Sequence, residues 1–172
     1  HIIKQLASAL GSAHQKGVIH RDIKPANVML VERAGDKDFV KLTDFGLAGL
    51  SQAHDENQDD DHVRLTMAGV VYGTPAYISP EQASAESTID GRADLYGLGC
   101  ILFEMLTGRL PFLAGNITQM LTAHLTQAPP RASEFNLTHY VPPALDEIII
   151  RLMAKNIEDR FPDAEALIEA LD

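Results

Sequence analysis

The chain has 172 residues, 45% of them apolar, which is enough to bury the core of one globular domain. Its 14 basic and 24 acidic residues give a net charge of −10, which argues against a nucleic-acid-binding surface. A lone Cys100 excludes an internal disulfide, and no apolar run approaches the roughly 20 residues that cross a bilayer. We therefore expect a cytoplasmic segment without membrane contact, and a transmembrane anchor outside this segment is left open.

The first residues already have the pattern of a packed helix. Apolar side chains recur at helical spacing over residues 2–16, and Gly17 follows as a helix stop. Because the chain also begins with His1 rather than Met, we expect it to be a piece of a longer protein.

Short β-prone pieces come next in the chain. They are Val18-Ile19, Val28–Val31 and Phe39–Leu42. Residues 34–37, which read Ala-Gly-Asp-Lys, predict a hairpin turn between the last two pieces.

The second half of the chain has the periodicity of four helices. They cover Leu95–Leu106, Ile117–Leu125, Leu145–Met153 and Ala164–Leu171. The first is apolar on most of its circumference and ends at Gly108, so we expect it at the centre of the domain. Asn116 and Asp163 are candidate N-caps. The pattern predicts one α+β domain that is mostly α-helical.

A long stretch from Asp44 to Glu81 has almost no periodicity, and such loops tend to be functional or mobile. It contains a local acidic cluster, made of Asp55, Glu56, Asp59, Asp60 and Asp61. The simpler interpretation is a solvated loop, because carboxylates that repel one another do not pack. The alternative is docking to a basic surface on a partner or on the rest of the protein.

Three short motifs stand in a specific order. Residues 20–27 read His-Arg-Asp-Ile-Lys-Pro-Ala-Asn, and Asp44-Phe45-Gly46 follows 17 residues after Asn27. Ser79-Pro80-Glu81 comes some 37 residues after Asp44. Together they resemble the H-R-D, D-F-G and A-P-E motifs of protein kinases. Residues 76–83 and 159–164 are similar to the bacterial, Hanks-type branch of the serine/threonine protein kinases.

This resemblance implies that residues 1–172 are the large, C-terminal helical lobe of a kinase catalytic domain. Short β-hairpins would surround a catalytic loop at 20–27, and an activation segment would cover 44–81. The small lobe is absent, since its G-x-G-x-x-G and V-A-I-K motifs do not occur in the sequence. The implied reaction transfers the ATP γ-phosphate to Ser or Thr hydroxyls of protein substrates. We expect the chain by itself to be slow or inactive without the small lobe of the same polypeptide.

The resemblance also implies roles for four residues. Asp22 is the catalytic residue that orients the substrate hydroxyl, and Lys24 places positive charge beside the transferred phosphoryl group. Asn27 and Asp44 are the expected ligands of Mg²⁺, with Mn²⁺ as an alternative, and they bind ATP together with Lys24. Their oxygen atoms suit a hard cation.

Further positions carry regulatory expectations. Arg21 is typical of kinases whose activation loop is ordered by phosphorylation, and Thr66 is the first candidate acceptor. The alternative is that Thr66 is only a polar loop residue. Thr74, within Gly73-Thr74-Pro75, is expected to bond to Asp22 and Lys24 and favours Ser/Thr specificity.

Four residues are expected to have structural roles. Glu81 would form a buried salt bridge with Arg160, and Asp94 would anchor the backbone of the catalytic loop. His20 would pack beneath Asp44-Phe45-Gly46 and take no part in proton transfer.

Two other functions are compatible with parts of this pattern. A pseudokinase-like or truncated large-lobe protein would act as a binding scaffold, which the missing small-lobe motifs favour and the intact catalytic residues oppose. A small-molecule phosphotransferase of the aminoglycoside-kinase type shares the Asp-Asn-Asp arrangement, but it lacks a peptide platform like that of residues 73–81.

Overall fold

The structure, a computed structural model, describes residues 1–45, 75–135 and 140–172. Within these ranges the chain is mostly helical with one two-stranded antiparallel sheet, as the sequence predicts. The elements are α1 (Ile2–His14), β1 (Val28–Arg33), β2 (Asp36–Leu42), α2 (Pro80–Ala83), α3 (Arg92–Thr107), α4 (Ile117–Thr126), α5 (Pro143–Leu152) and α6 (Ala164–Ala170). Single 3₁₀ turns lie at Pro25–Asn27, Ala132–Glu134 and Ile157–Asp159. Thr66, Thr74, Gly46 and the acidic cluster lie outside the described residues.

Helix α3 forms the centre of the described part of the chain. Every residue from Ala93 to Phe103 is buried, because α1 packs against one side of this helix and α5 against another. The helix ends at Thr107, and Gly108 follows with a φ of 67°, a left-handed conformation that suits glycine. The sequence prediction of a central apolar helix is confirmed.

The helix starts follow local capping rules. The Asn116 side chain accepts a hydrogen bond from the Gln119 amide at 2.9 Å, and Asp163 accepts one from the Ala166 amide at 2.8 Å. Both predicted N-caps are therefore confirmed. Helix α2 was not predicted, although its capping box is visible as Ser79-Pro80-Glu81-Gln82.

The sheet is a single hairpin within the described residues. Its strands pair Val28 with Leu42 and Leu30 with Val40, and the turn is the dipeptide Ala34-Gly35. Both turn residues have positive φ, 52° and 86°, as a type I′ hairpin requires. The turn lies where the sequence predicts it but is shorter, since Asp36 already belongs to β2.

The prediction of a strand at Val18-Ile19 is wrong. These residues have no strand conformation, and the Val18 amide donates to the Ala13 carbonyl at 3.0 Å, completing the end of α1. A β-prone dipeptide needs a neighbouring strand, and here β1 and β2 pair with each other. The sequence predicts several hairpins around the loop of residues 20–27, whereas the described residues contain one.

The Gln5 side chain attaches the hairpin to α1. Gln5 donates to the Asp38 carbonyl at 3.0 Å and accepts from the Val40 amide at 3.0 Å. This contact holds β2 beside α1 and so places the residues that follow β2.

None of the helices described by the structure is long and apolar enough to cross a bilayer.

Helices α3 and α5 approach each other closely at Gly99. A Cβ atom on Gly99 would lie 2.7 Å from Leu152 Cβ and 2.9 Å from Met153 Cγ. We expect Gly99→Ala to lower the free energy of unfolding by about 1–3 kcal/mol, because the core would be overpacked. Chemical denaturation of the two proteins measures the difference.

Gly115→Ala is the matched control. The nearest atom to its added Cβ is Gln119 Oε1 at 3.3 Å, at the end of a flexible side chain. Gly115→Ala should change the free energy of unfolding by less than about 0.5 kcal/mol. Equal costs for the two substitutions would contradict the proposed contact.

Candidate active site

The loop of residues 20–27 is fixed by one buried carboxylate. Asp94, in the first turn of α3 and only 1% exposed, accepts hydrogen bonds from the backbone amides of His20 at 2.9 Å and Arg21 at 2.8 Å. A buried carboxylate needs such donors, since burial of an unpaired charge is costly. The loop therefore starts at a defined position relative to the core.

Arg21 has an uncommon backbone conformation at this point. Its φ is 65°, in the left-handed region that non-glycine residues rarely adopt. The Arg21 amide donates to Asp94, and the Arg21 carbonyl accepts a hydrogen bond from Gln82 Nε2 at 2.7 Å. These two bonds hold the strained residue, and its side chain stays exposed.

His14 is a further member of this site that sequence reasoning did not identify. Its Nε2 lies 2.7 Å from Asp94 Oδ2, so α1 also contacts the carboxylate that holds the loop. Gly91 leaves space for the ring, because a Cβ there would lie 2.5 Å from His14 Nδ1. No local pattern marks His14, whose partner is 80 residues further along the chain.

Asp22, Lys24 and Asn27 lie together in the loop. Asp22 Oδ2 is 3.1 Å from Lys24 Nζ and accepts from Asn27 Nδ2 at 3.1 Å. The same Asn27 nitrogen donates to the Asp22 carbonyl at 2.7 Å. The amide nitrogen of Asn27 is thus used within the loop, which leaves its Oδ1 as the atom suited to bind a cation.

His20 connects the loop to the segment after β2. Its Nε2 donates to the Thr43 carbonyl at 2.7 Å, and its Nδ1 accepts from the Asp22 amide at 3.3 Å. The ring centroid is 4.8 Å from that of Phe45. Both ring nitrogens are engaged with backbone groups, an arrangement that suits packing and orientation rather than proton transfer.

Asp44 is placed beside Asn27 by backbone contacts. The Thr43 amide and hydroxyl donate to the Asn27 carbonyl at 3.0 and 3.3 Å. Asp44 follows with a φ of 60° and an exposed side chain. The hairpin therefore brings the two predicted cation ligands to neighbouring positions.

The donor set fits magnesium. Asn27 and Asp44 offer one amide oxygen and one carboxylate, and Mg²⁺ is usually held by one or two carboxylates together with water and phosphate oxygens. Within residues 1–45, 75–135 and 140–172, no group of three or more His, Cys, Asp and Glu side chains is arranged to hold a metal. The pair could therefore supply only part of the ligand set of such a cation.

Glu81 and Arg160 form a buried, bidentate ion pair. The two nitrogen–oxygen distances are both 2.7 Å, and the residues are 4% and 2% exposed. The guanidinium group also donates to the Ala154 carbonyl at 2.9 Å and lies 4.9 Å from the centroid of the Tyr96 ring. Burial alone would raise the pKa of Glu81, but the hydrogen bonds and charge of Arg160 outweigh burial and lower it.

The comparison with known families decides the classification. The sequence profile described as the protein kinase domain matches residues 1–170. The chain belongs to the protein kinase family. Asp22, Asp44 and Glu81, described above, lie within the matched residues of this kinase chain.

Similar proteins include bacterial kinases. The chain is 43% identical over 174 residues to serine/threonine-protein kinase pkn3 of Myxococcus xanthus, covering 99% of this chain and 31% of the relative. It is 42% identical over 170 residues to Pkn1 of the same organism, covering 99% and 23%. It is also 42% identical over 166 residues to PknJ of Mycobacterium tuberculosis, covering 95% and 26%. The kinase chain thus spans about a quarter to a third of the length of these relatives.

The lowered pKa of Glu81 predicts a pH dependence of stability. The unfolded value is about 4.3, so the pair stabilises the fold fully above that pH and loses this contribution as pH falls through the lower folded value. We expect Glu81→Gln to cost about 3–5 kcal/mol at pH 7, because it leaves Arg160 buried without its counter-charge. The stability lost in Glu81→Gln should become smaller as the pH falls below the pKa of Glu81 in the folded protein. Chemical denaturation of both proteins at several pH values measures this difference.

The exposed pair of Arg131 and Glu147, 2.8 Å apart, provides the control. Glu147→Gln should change stability by less than about 1 kcal/mol at either pH. If both substitutions cost the same, burial does not strengthen the Glu81–Arg160 pair.

The contact of Gly91 with His14 predicts a coupling between the two positions. We expect Gly91→Ala to destabilise the fold by about 1–3 kcal/mol, because the added Cβ collides with the ring. In a His14→Ala background most of this cost should disappear. A double-mutant cycle of unfolding free energies measures the coupling, and additive costs would show that the ring does not need this space.

Proposed function

We propose that this chain is the large lobe of a serine/threonine protein kinase catalytic domain, which transfers the ATP γ-phosphate to Ser or Thr hydroxyls of proteins. The observation that carries this proposal is the grouping of Asp22, Lys24 and Asn27 on a loop held by Asp94. The names of the similar bacterial proteins support the same activity.

The loop geometry suits phosphoryl transfer. Catalysis of this reaction depends chiefly on positioning and on neutralising charge. Lys24 and Asn27 both contact one oxygen of Asp22, which orients the carboxylate. Asp22 accepts a hydrogen bond from the acceptor hydroxyl and takes its proton, while Lys24 supplies positive charge beside the phosphoryl group.

Asn27 and Asp44 are the residues that would hold Mg²⁺, or Mn²⁺ in its place. The bound cation neutralises the negative charge of the ATP phosphates. The contacts of Thr43 with the Asn27 carbonyl hold the backbone of Asp44 close to that of Asn27, which supports a shared cation site.

The acceptor peptide is assigned to the segment of residues 75–81. Its neighbour Gln82 donates to the carbonyl of Arg21, the residue directly before Asp22. A peptide on this segment would therefore present its hydroxyl beside Asp22. The ion pair of Glu81 with Arg160 attaches the segment to the core.

Completion of the ATP site is assigned to the small lobe of the same polypeptide. Four apolar side chains in the hairpin or next to the two loops are exposed: Val18, Met29, Leu30 and Phe45. Exposed apolar groups that flank a polar site are typical of a surface covered by another part of a protein. By itself the chain is therefore expected to bind ATP weakly and to transfer phosphate slowly or not at all.

Regulation by phosphorylation is part of the proposal. The Arg21 side chain is exposed and can pair with a phosphate group, for which Thr66 is the first candidate acceptor. Thr74 is assigned to contacts with Asp22 and Lys24. Both threonines lie outside the described residues.

The decisive test compares the full-length protein with its Asp22→Asn variant, using labelled ATP, Mg²⁺ and a generic Ser/Thr protein substrate. We expect the substitution to lower kcat by about 10²–10⁴-fold, because the group that accepts the hydroxyl proton is lost. ATP binding should be retained, since Asn27 and Asp44 are unchanged.

Asp38→Asn is the matched control, because Asp38 is an exposed aspartate on β2 away from the loop. It should leave kcat unchanged. If the full-length protein labels nothing, the kinase proposal fails and a scaffold function takes its place. If the 172-residue chain labels substrate as fast as the full-length protein, the lobe assignment is wrong.

A further inference from the structure

One peptide unit leads directly into Asp22. It joins the carbonyl of Arg21 to the amide of Asp22, and such a unit is planar and rigid. The Asp22 amide donates to Nδ1 of His20 at 3.3 Å, and the Arg21 carbonyl accepts from Nε2 of Gln82 at 2.7 Å. Side chains therefore bind both polar groups of this unit, one from the loop itself and one from α2.

The orientation of this unit affects the direction of the Asp22 side chain. Rotation of the unit changes the φ angle of Asp22, and the rotamers that a side chain can adopt depend on the backbone angles of its residue. Arg21, on the other side of the unit, has a φ of 65°, which its surroundings must maintain. Asp94 holds the amide of Arg21, whereas Gln82 holds its carbonyl, the group that adjoins Asp22.

Backbone groups determine how the Gln82 amide is oriented. Its oxygen accepts from the Ser79 amide at 3.1 Å, and a backbone N–H can only donate. Its nitrogen lies against the Arg21 carbonyl, which can only accept. Exchange of the two ends of the amide would place donor against donor and acceptor against acceptor. The nitrogen of Gln82 is therefore committed to the loop.

Gln82 connects this peptide unit with the segment to which the acceptor peptide is assigned. Ser79 is 0% exposed, and its hydroxyl donates to the Gln82 oxygen at 3.0 Å. Glu81, between the two, is bound to the buried Arg160. The start of α2 is thus held in the core, and Gln82 extends from it to a carbonyl 61 positions earlier in the chain.

We propose that Gln82 is a positioning residue for Asp22, which couples the position of the acceptor segment to the direction of the Asp22 carboxylate. This inference rests on the proposed function and deepens it. Gln82 acts through the Arg21–Asp22 peptide unit rather than on the substrate. Loss of its donor should therefore slow phosphoryl transfer and leave the affinity for ATP unchanged, because Asp44 and Asn27 remain in place.

The test uses the full-length protein with two substitutions of Gln82. Gln82→Glu keeps an oxygen for the cap of α2 but removes the donor to Arg21, and Gln82→Met removes the donor without adding charge. We expect each to lower the single-turnover rate of peptide phosphorylation about three- to tenfold, the worth of one hydrogen bond. KM for ATP should stay unchanged. A normal rate in Gln82→Met would overturn the inference, because added charge would then explain any effect of Gln82→Glu.

Two control variants separate positioning from general damage. Gln119 is exposed on α4, and its oxygen accepts from the Gly115 amide at 3.0 Å, so Gln119→Glu is the matched change away from the loop. Ser84→Ala removes a hydroxyl that donates to the Pro80 carbonyl at 2.9 Å and tests loosening of α2. Neither should alter the rate, and melting temperatures show whether each variant is folded. A loss in Ser84→Ala as large as that in Gln82→Met would contradict the inference.

A second readout does not depend on kinase activity. Hydrogen–deuterium exchange of the full-length protein, followed by mass spectrometry, reports how firmly the loop is held. We expect residues 20–27 to exchange faster in both Gln82 variants, while α3 exchanges as before. Equal exchange of residues 20–27 in all proteins would overturn the inference even if phosphorylation is normal. If the unmodified protein phosphorylates nothing, the proposed function fails, and the exchange rates still decide whether Gln82 holds the loop.

Discussion

The geometry of the site depends on the carboxylate of Asp94. This group lies in α3, where every residue from Ala93 to Phe103 is buried, and it accepts hydrogen bonds from the amides of His20 and Arg21. The loop of residues 20–27 is therefore attached to the core. His14 brings a third contact to the same carboxylate from α1. Since Asp22 directly follows Arg21, these contacts with the core help to set the position of the proposed catalytic residue.

The ion pair of Glu81 with Arg160 holds the other part of the site, the segment of residues 75–81, against α3. Arg160 joins Glu81 to backbone carbonyls and to the face of Tyr96, and the hydroxyl oxygen of Tyr96 lies 2.9 Å from Nδ1 of His124 in α4. Helix α3 therefore supports both the catalytic loop and the peptide segment. A rigid central helix with polar contacts at its first turns is a physical reason for two loops, distant in sequence, to keep one relative position.

Much of the fold follows from local rules and could be predicted. The apolar period marks α3, and Asn116 and Asp163 mark helix starts, because caps depend only on residues within one turn. Val18-Ile19 could not be judged in this way, since a strand depends on whether a partner lies beside it. The loop motifs indicated Asp22 and Asn27. His14 and the contacts of Tyr96 with His124 and Lys155 gave no signal, because they join residues far apart in the chain.

The two hydrogen bonds of the Gln82 side chain limit which residues can replace it. Its oxygen accepts from the Ser79 amide at 3.1 Å and closes the cap of α2, while its nitrogen donates to the Arg21 carbonyl. Glutamate would serve the cap as well as glutamine does, yet it would turn a carboxylate toward a carbonyl and replace attraction by repulsion. The neutral amide of Gln82 thus connects the start of α2 with the loop of residues 20–27. A displacement of α2 would strain or break the hydrogen bond to the carbonyl of Arg21, so the position of α2 bears on the strained backbone directly before Asp22.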